Sequence, residues 1–222
     1  MIRIMIADDH AIVRQGLARI LEKNDGMKIV AEHDNGIDAL NWVRDHDCDI
    51  ALIDISMPGL NGIDLLKQLR EEKPKVPVLV ISIYSEDQYA VRLIKAGAAG
   101  YLTKGCAPAI VIEAVRQIAG GKKYISPTVA GMLADEIGTT DGRLPHEALS
   151  DREYQIFLLL ASAKTVSEIA DTIVLSGKTV STYRKRIMEK MHLRNNVELM
   201  RYAIDNNLAQ SLELLQVKSL LK

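Results

Sequence analysis

Four places in the chain carry residues that could do chemistry: the pair Asp8-Asp9, then Asp54, Ser82 and Lys104. Each sits at the end of a short apolar run. Asp8-Asp9 follows IRIMIA, Asp54 follows IALI, Ser82 closes VLVIS and Lys104 follows GYLT. Such runs, bounded by turn residues like Pro58-Gly59 and Asn61-Gly62, fit strands buried on both faces of a parallel sheet. Parallel strands end on one edge, where open α/β sheets place their reactive groups. Taken singly, Asp54 reads as a nucleophile, a metal ligand or a helix cap, and Asp8 or Asp9 as a helix N-cap. Taken together, three neighbouring carboxylates repel and raise one another's pKa. A divalent cation relieves that repulsion. Mg2+ prefers oxygen ligands and works with one or two carboxylates plus phosphate oxygens. Lys104 would add a second positive charge, and Ser82 a hydroxyl able to reach a phosphoryl oxygen. The set suits in-line phosphoryl transfer to a carboxylate. His10, beside the acids but with no second His, reads as a helix-start or surface residue rather than a ligand.

The elements that must hold these residues can be read in order. Strands are expected over 2–7, 28–32, 50–53, 78–82 and 100–103. Helical patterns follow each, from about residue 12 (Ile12, Val13, Leu17, Ile20, Leu21) and over 36–44, 63–72, 86–96 and 108–119. Strand-then-helix repeated five times implies a doubly wound parallel sheet with helices on both faces, and right-handed crossovers leave few topologies.

With the acids, the serine and the lysine placed, a resemblance emerges. Asp-Asp-His after the first strand, DISMPGLNG after the third, Ser82 after the fourth and YLTK at the fifth resemble a two-component receiver domain over about residues 1–122. The resemblance implies a flavodoxin-like fold, Asp54 as phosphoacceptor and Asp9 as a direct Mg2+ ligand. It implies Asp8 acting mainly through water and the Ser56 backbone carbonyl completing the metal site. Ser82 and Lys104 would read the phosphoryl group, and Tyr101 would swing inward on activation. One position departs from the pattern: Ile83, stiff and β-branched, follows Ser82 where a small residue is usual, and Tyr84 comes next. A phosphatase of the haloacid-dehalogenase type also uses a phospho-aspartate. It needs an acid two residues past the nucleophile, where this chain has Ser56.

Past Gly120-Gly121 the composition turns weakly hydrophobic and rich in turn residues. Residues 123–148 read as a linker that includes an amphipathic stretch at Val129, Met132, Leu133 and Ile137. Ser150 and Glu153 stand at capping-box spacing and open a helix over 151–161. Helices over 166–173, 179–191 and 197–206 follow, with Ser167 as a candidate cap for the first of these. Two short helices about a Gly177-containing turn read as helix-turn-helix. In the third helix Val180, Tyr183, Ile187 and Met191 are spaced for a core. Lys178, Thr179, Ser181, Thr182, Lys185 and Arg186 are left for a DNA groove and its phosphates, with Arg184 and Lys190 flanking. A solvated basic face is the bland alternative. LSDREYQIFLLL, SEIADTIVLSGKTVSTYRKRIMEKM and HLRNNVEL resemble the LuxR-type four-helix DNA-binding domain over 149–208. With the receiver, the chain is similar to NarL/FixJ response regulators. Ser181 and Tyr183 depart from the frequent Lys and His, and Ala161-Ser162-Ala163 from a turn that usually contains Gly. Residues 209–222 form a tail with a possible helical leucine stripe.

Bulk properties agree with two domains. The chain has 222 residues, suited to two units. Residues 1–149 carry a net charge of −4 and residues 150–222 a net +3. A basic second unit permits nucleic-acid binding without proving it. No apolar run approaches the ~18–20 residues of a membrane span. Early acids argue against a signal peptide, and Cys48 and Cys106, without CxxC spacing, read as free thiols in a reducing cytosol. The expectation is a cytoplasmic DNA-binding transcription regulator, not an enzyme. A sensor histidine kinase would phosphorylate Asp54, Mg2+ would be the cofactor, double-stranded DNA the partner, and a homodimer the phosphorylated state.

Overall fold

The five apolar runs form five parallel strands: β1 (Ile2–Ala7), β2 (Met27–His33), β3 (Ile50–Ile53), β4 (Val78–Ser82) and β5 (Gly100–Thr103). Their order across the sheet is β2-β1-β3-β4-β5. This arrangement comes from a computed structural model, which describes residues 1–138, 144–206 and 208. Every residue of β3 and β4 is buried, as a strand covered on both faces requires. Ile4, Ile6, Ile50, Leu52, Leu79, Ile81 and Leu102 share a core with Leu17, Ala18 and Leu21 of helix α1 (Ala11–Glu22) and with Val111, Ala114, Val115 and Ile118 of α5 (Pro108–Ala119). The alternate residues Met5, Ala7, Ala51, Ile53, Val78 and Val80 are buried as well; side chains alternate between faces along a strand. Helices α2 (Gly36–Asp45), α3 (Gly62–Glu72) and α4 (Glu86–Lys95) complete the alternation, and α2 packs on α3.

Register levels the strand ends. Ala7 pairs with Ile53, and Ser82 with Thr103. The ladder continues one residue further: Asp54 N–H donates to Ala7 O at 2.8 Å, Asp8 N–H to His33 O at 3.0 Å and Lys104 N–H to Ser82 O at 2.7 Å. The residues with chemistry are therefore fixed by backbone bonds and not left on free loops. Asn61 caps α3 by accepting from the N–H groups of Ile63 and Asp64. At Gly62 a Cβ would come within 2.0 Å of Asp54 O, so only glycine lets α3 start this close to the reactive strand end.

Two expectations for this unit change. Ile12 is 87% exposed, because the core-facing stripe of α1 runs through Val13, Leu17, Ala18 and Leu21 and leaves Ile12 on the outer side. The first compact unit runs through Ile137, beyond residue 122. Tyr124 N–H donates to Ala99 O at 2.8 Å, and Ser126 Oγ donates to Glu86 Oε2 at 2.8 Å. Val129 of α6 (Pro127–Gly138) is buried. The amphipathic stretch in the expected linker is thus a sixth helix anchored to the sheet and to the start of α4.

The second unit holds a short 3-10 turn (Pro145–Ala148) and α7 (Asp151–Ala161), α8 (Val166–Thr172), α9 (Gly177–Lys190) and α10 (Asn196–Asp205). Helix α7 is the central one, with Tyr154, Ile156, Phe157, Leu159 and Leu160 buried; α9 and α10 both pack on it, and α8 packs on α9. Its capping box between Ser150 and Glu153 is present. A second capping box, Thr165 with Glu168, opens α8, so Thr165 and not Ser167 is the cap. The leucine stripe expected beyond residue 206 lies outside the described residues apart from Leu208, which is buried.

Candidate phosphoacceptor pocket and recognition helix

Lys104 is the hub of the sheet-edge site. Its Nζ lies 2.8 Å from Asp54 Oδ2 and 2.8 Å from Asp8 Oδ2, with all three side chains nearly buried. Burial alone would pull the ammonium's pKa down; Asp54 and Asp8 outweigh it and hold it raised. Asp54 is 2% exposed. Burial pushes its pKa above the usual carboxylate range, Lys104 opposes the rise, and Asp8 and Asp9 add to it. The two oxygens of Asp54 differ. Oδ2 is held by Lys104, while Oδ1 is buried and has no hydrogen-bond partner among the described residues. A buried, unpaired carboxylate oxygen is costly.

Asp8, Asp9, His10 and Asp54 gather at this point, with one donor atom from each within 4.8 Å of the others. Asp8 Oδ1 accepts from His10 N–H at 2.9 Å. The donor set, mostly oxygen, anionic and opening from the sheet edge, fits a divalent cation. Arg14, one turn into α1, donates to Asp8 O at 2.6 Å and faces Glu32 at 3.5 Å. The sequence offered no signal for Arg14 beyond its place on the sheet-edge end of α1.

Around the pocket, Ser82 is fully buried, and its Oγ accepts from Tyr84 N–H at 3.3 Å. Tyr101 is 2% exposed and stands inside, its hydroxyl donating to Tyr84 O at 2.8 Å. Burial raises the pKa of that hydroxyl. Tyr84 is itself buried and tilted against Tyr89 with ring centroids 5.0 Å apart. The backbone of Tyr84 thus serves both Ser82 and Tyr101. Ser56, expected to offer its carbonyl, follows Asp54 by two residues and has a buried hydroxyl with no partner among the described residues.

In the second unit Ser176 caps α9 and Val180 and Ile187 anchor it in the core. Lys178, Ser181, Thr182, Lys185 and Arg186 are exposed on it. Thr179 is half-buried, and its hydroxyl lies 2.8 Å from that of Ser176, so it helps to cap the helix. Thr182 Oγ1 donates back to Lys178 O at 2.9 Å. The flanking cations are tethers: Lys190 Nζ donates to Glu153 Oε2 at 2.6 Å, and Arg184 Nε to Asn196 Oδ1 at 2.9 Å. Glu153 is 4% exposed. Burial would raise its pKa, but Lys190 and Ser150 outweigh that and hold it low.

A doubly wound sheet with an acidic pocket at its carboxyl edge, followed by a helix-turn-helix unit, defines a class of two-part regulators. Comparison with known proteins narrows the class. Residues 4–116 match the response regulator receiver domain family, and residues 147–203 match the bacterial regulatory proteins of the luxR family. The chain is 38% identical over 212 residues to the response regulator GacA of Pseudomonas aeruginosa, covering 95% of this chain and 99% of that one. It is 36% identical to the response regulator UvrY of Escherichia coli, covering 95% and 97%. Among solved structures it is similar to RcsB from Salmonella enterica serovar Typhimurium bound to promoter rprA with a phosphomimetic. That match has a TM-score of 0.62 at 26% identity and covers 91% of this chain and 98% of that one. The chain belongs to the two-component response regulators that join a receiver domain to a LuxR-type helix-turn-helix domain. Among the described residues no helix is long and apolar enough to cross a membrane.

Proposed function

We propose that this chain is a cytoplasmic transcription regulator switched by phosphorylation of Asp54, the phosphoryl group coming from a sensor histidine kinase. The observation that carries the reading is the asymmetry of the Asp54 carboxylate, one oxygen held by Lys104 and the other buried and unpaired. In this reading a carboxylate oxygen of Asp54 attacks phosphorus. A P–O bond forms as the P–N bond of a kinase phosphohistidine breaks, and the departing imidazole takes its proton from solvent. Lys104 keeps Asp54 oriented and meets the incoming negative charge. Asp9 and Asp54 would hold Mg2+, with the Ser56 carbonyl, and Asp8 through water. The ion, when bound, neutralises the charge that develops on the phosphoryl oxygens. Ser82 would release Tyr84 N–H and turn its hydroxyl to a phosphoryl oxygen, while Tyr101 holds the Tyr84 carbonyl from inside.

The product is a signal and not a released metabolite, so the chain acts as a regulator rather than an enzyme. Lys178, Lys185 and Arg186 would meet DNA phosphates, and Ser181 and Thr182 base edges. Thr179 would support these contacts by fixing the helix start. A homodimer, favoured by phosphorylation, would match a two-fold DNA site.

Incubation with acetyl phosphate and Mg2+ tests the reading. One phosphoryl group should be added, and it should be absent from the Asp54→Ala protein and from samples with chelator. Full labelling of Asp54→Ala would overturn it.

A further inference from the structure

His10 is half-exposed at the helix start, as its sequence context suggests, but its ring turns toward the acids. It stands at the start of α1 in extended backbone and makes no side-chain cap on the helix. Instead its Nδ1 turns back to the acids, 2.7 Å from Asp9 Oδ1 and 3.4 Å from Asp8 Oδ1. In an octahedral site with bonds of about 2.1 Å, neighbouring donors lie about 3 Å apart and opposite ones about 4.2 Å. The two imidazole distances bracket the first figure. All four donors lie within 4.8 Å of one another, about 0.6 Å wider than the second, so the side chains would close slightly on a bound ion. Asp54 Oδ1, buried and without a partner among the described residues, supplies an independent sign that the pocket receives something. Lys104 does not block this approach. It binds Oδ2 of both Asp8 and Asp54; Asp8 Oδ1 accepts the His10 backbone N–H, and Asp54 Oδ1 has no partner among the described residues.

We propose that His10 is a nitrogen donor of the cation site, so that the pocket accepts an imidazole-binding divalent metal of the Zn2+ class as well as Mg2+. Three carboxylates alone make a hard site, which suits Mg2+ and Mn2+. One imidazole among them shifts the preference toward metals that bind nitrogen. Mg2+ keeps several of its waters and gains little from the ring. His10 is half-exposed, so the ring can turn toward a bound ion without repacking the core, and His10→Ala should leave the fold intact. The inference rests on the assignment of Asp9 and Asp54 as cation ligands, and the two can fail separately.

The test uses the full chain, its His10→Ala form and its Asp9→Asn form at one fixed pH. Calorimetry gives Mg2+ and Zn2+ affinities, and the Zn2+ binding that excess Mg2+ suppresses is assigned to the shared site. His10→Ala should weaken Zn2+ binding at that site about tenfold or more and leave Mg2+ within about twofold. Electron spin-echo spectra of the Mn2+-loaded chain should show the modulation of one directly bound imidazole nitrogen, absent in His10→Ala. Asp9→Asn should weaken both ions. If Asp9→Asn weakens both but His10→Ala changes neither Zn2+ affinity nor the nitrogen signal, the inference is overturned and the carboxylate site stands. If Asp9→Asn leaves Mg2+ binding unchanged, the carboxylate assignment falls and the inference with it.

Discussion

At Asp54 the fold opposes the state that the proposed chemistry needs. Asp54 itself is buried, so desolvation favours the protonated acid, and Lys104 only partly offsets this. A carboxyl group whose folded pKa is raised contributes stability below its unfolded pKa. That contribution is lost as pH rises through the folded value. At neutral pH, without metal, the Asp54 carboxylate therefore costs stability. Asp54→Asn keeps the shape and removes the charge, while Lys104 retains Asp8. The Asn protein should melt several degrees higher than wild type at pH 7.5 in chelator, and the gap should close toward pH 4. Thermal melts across that range check it; an Asn protein less stable at pH 7.5 would contradict it. Asp8, Asp54, Ser82 and Lys104 were legible in the sequence because each ends an apolar run, and parallel strands leave their ends nowhere else to go. The turn of the His10 ring to Asp9 and the reach of Arg14 to Asp8 O were not. Both depend on which way a side chain turns at the first turns of α1, which no spacing rule specifies.

At the scale of elements, the second unit closes three helices by the same strained device. Ala163, Val174 and His192 take φ of 58°, 52° and 55° just past α7, α8 and α9, in the left-handed region that favours glycine. At each, the next residue donates back across the turn: Lys164 to Leu159 O, Leu175 to Ala170 O and Leu193 to Met188 O. Sequence showed that Ala163 departs from the usual glycine but not that Val174 does, since an exposed valine gives no turn signal. Val174 has the highest cost because its Cβ is branched. The left-handed state costs a non-glycine residue roughly 1–2 kcal/mol, and glycine loses about 0.4–1 kcal/mol through greater freedom when unfolded. Val174 is 66% exposed, so little packing is lost on truncation. Val174→Gly should stabilise the α8–α9 turn by about 1 kcal/mol. It should slow hydrogen exchange of the protected amides in α8 and α9 about fivefold; unchanged or faster exchange would show that the strain is relieved elsewhere. Helix starts were easier to read than these ends. Ser150 with Glu153 announces α7 by residue type, whereas a left-handed end is a conformation that alanine, valine and histidine here take without advertising it.

Across the whole molecule the charges divide, −4 over residues 1–149 and +3 over residues 150–222. Opposite net charges would let the first unit lower the affinity of the second for DNA. An effect of charge between exposed groups is weak and further weakened by salt. Phosphorylation of Asp54, as proposed, would add about −1.5 to −2 charges and so strengthen this inhibition. Relief would therefore have to come from shape. Tyr101 already stands inside, so the step left to the proposed phosphorylation would be the turn of the Ser82 hydroxyl away from Tyr84 N–H. A fragment of residues 149–222 should bind promoter DNA without phosphodonor, and more tightly than the unphosphorylated full chain at low salt, with the gap narrowing as salt rises. Tyr101→Ala should leave labelling of Asp54 largely intact but blunt the DNA response, because the Tyr84 carbonyl loses its inner anchor. Titration of labelled DNA at two salt concentrations, with and without acetyl phosphate, measures both effects. A fragment no tighter than the unphosphorylated chain would remove inhibition by the receiver from the account and leave dimerisation as the route by which phosphorylation reaches DNA. A Tyr101→Ala protein with a full DNA response would show that the signal leaves the pocket without passing through the Tyr84 carbonyl.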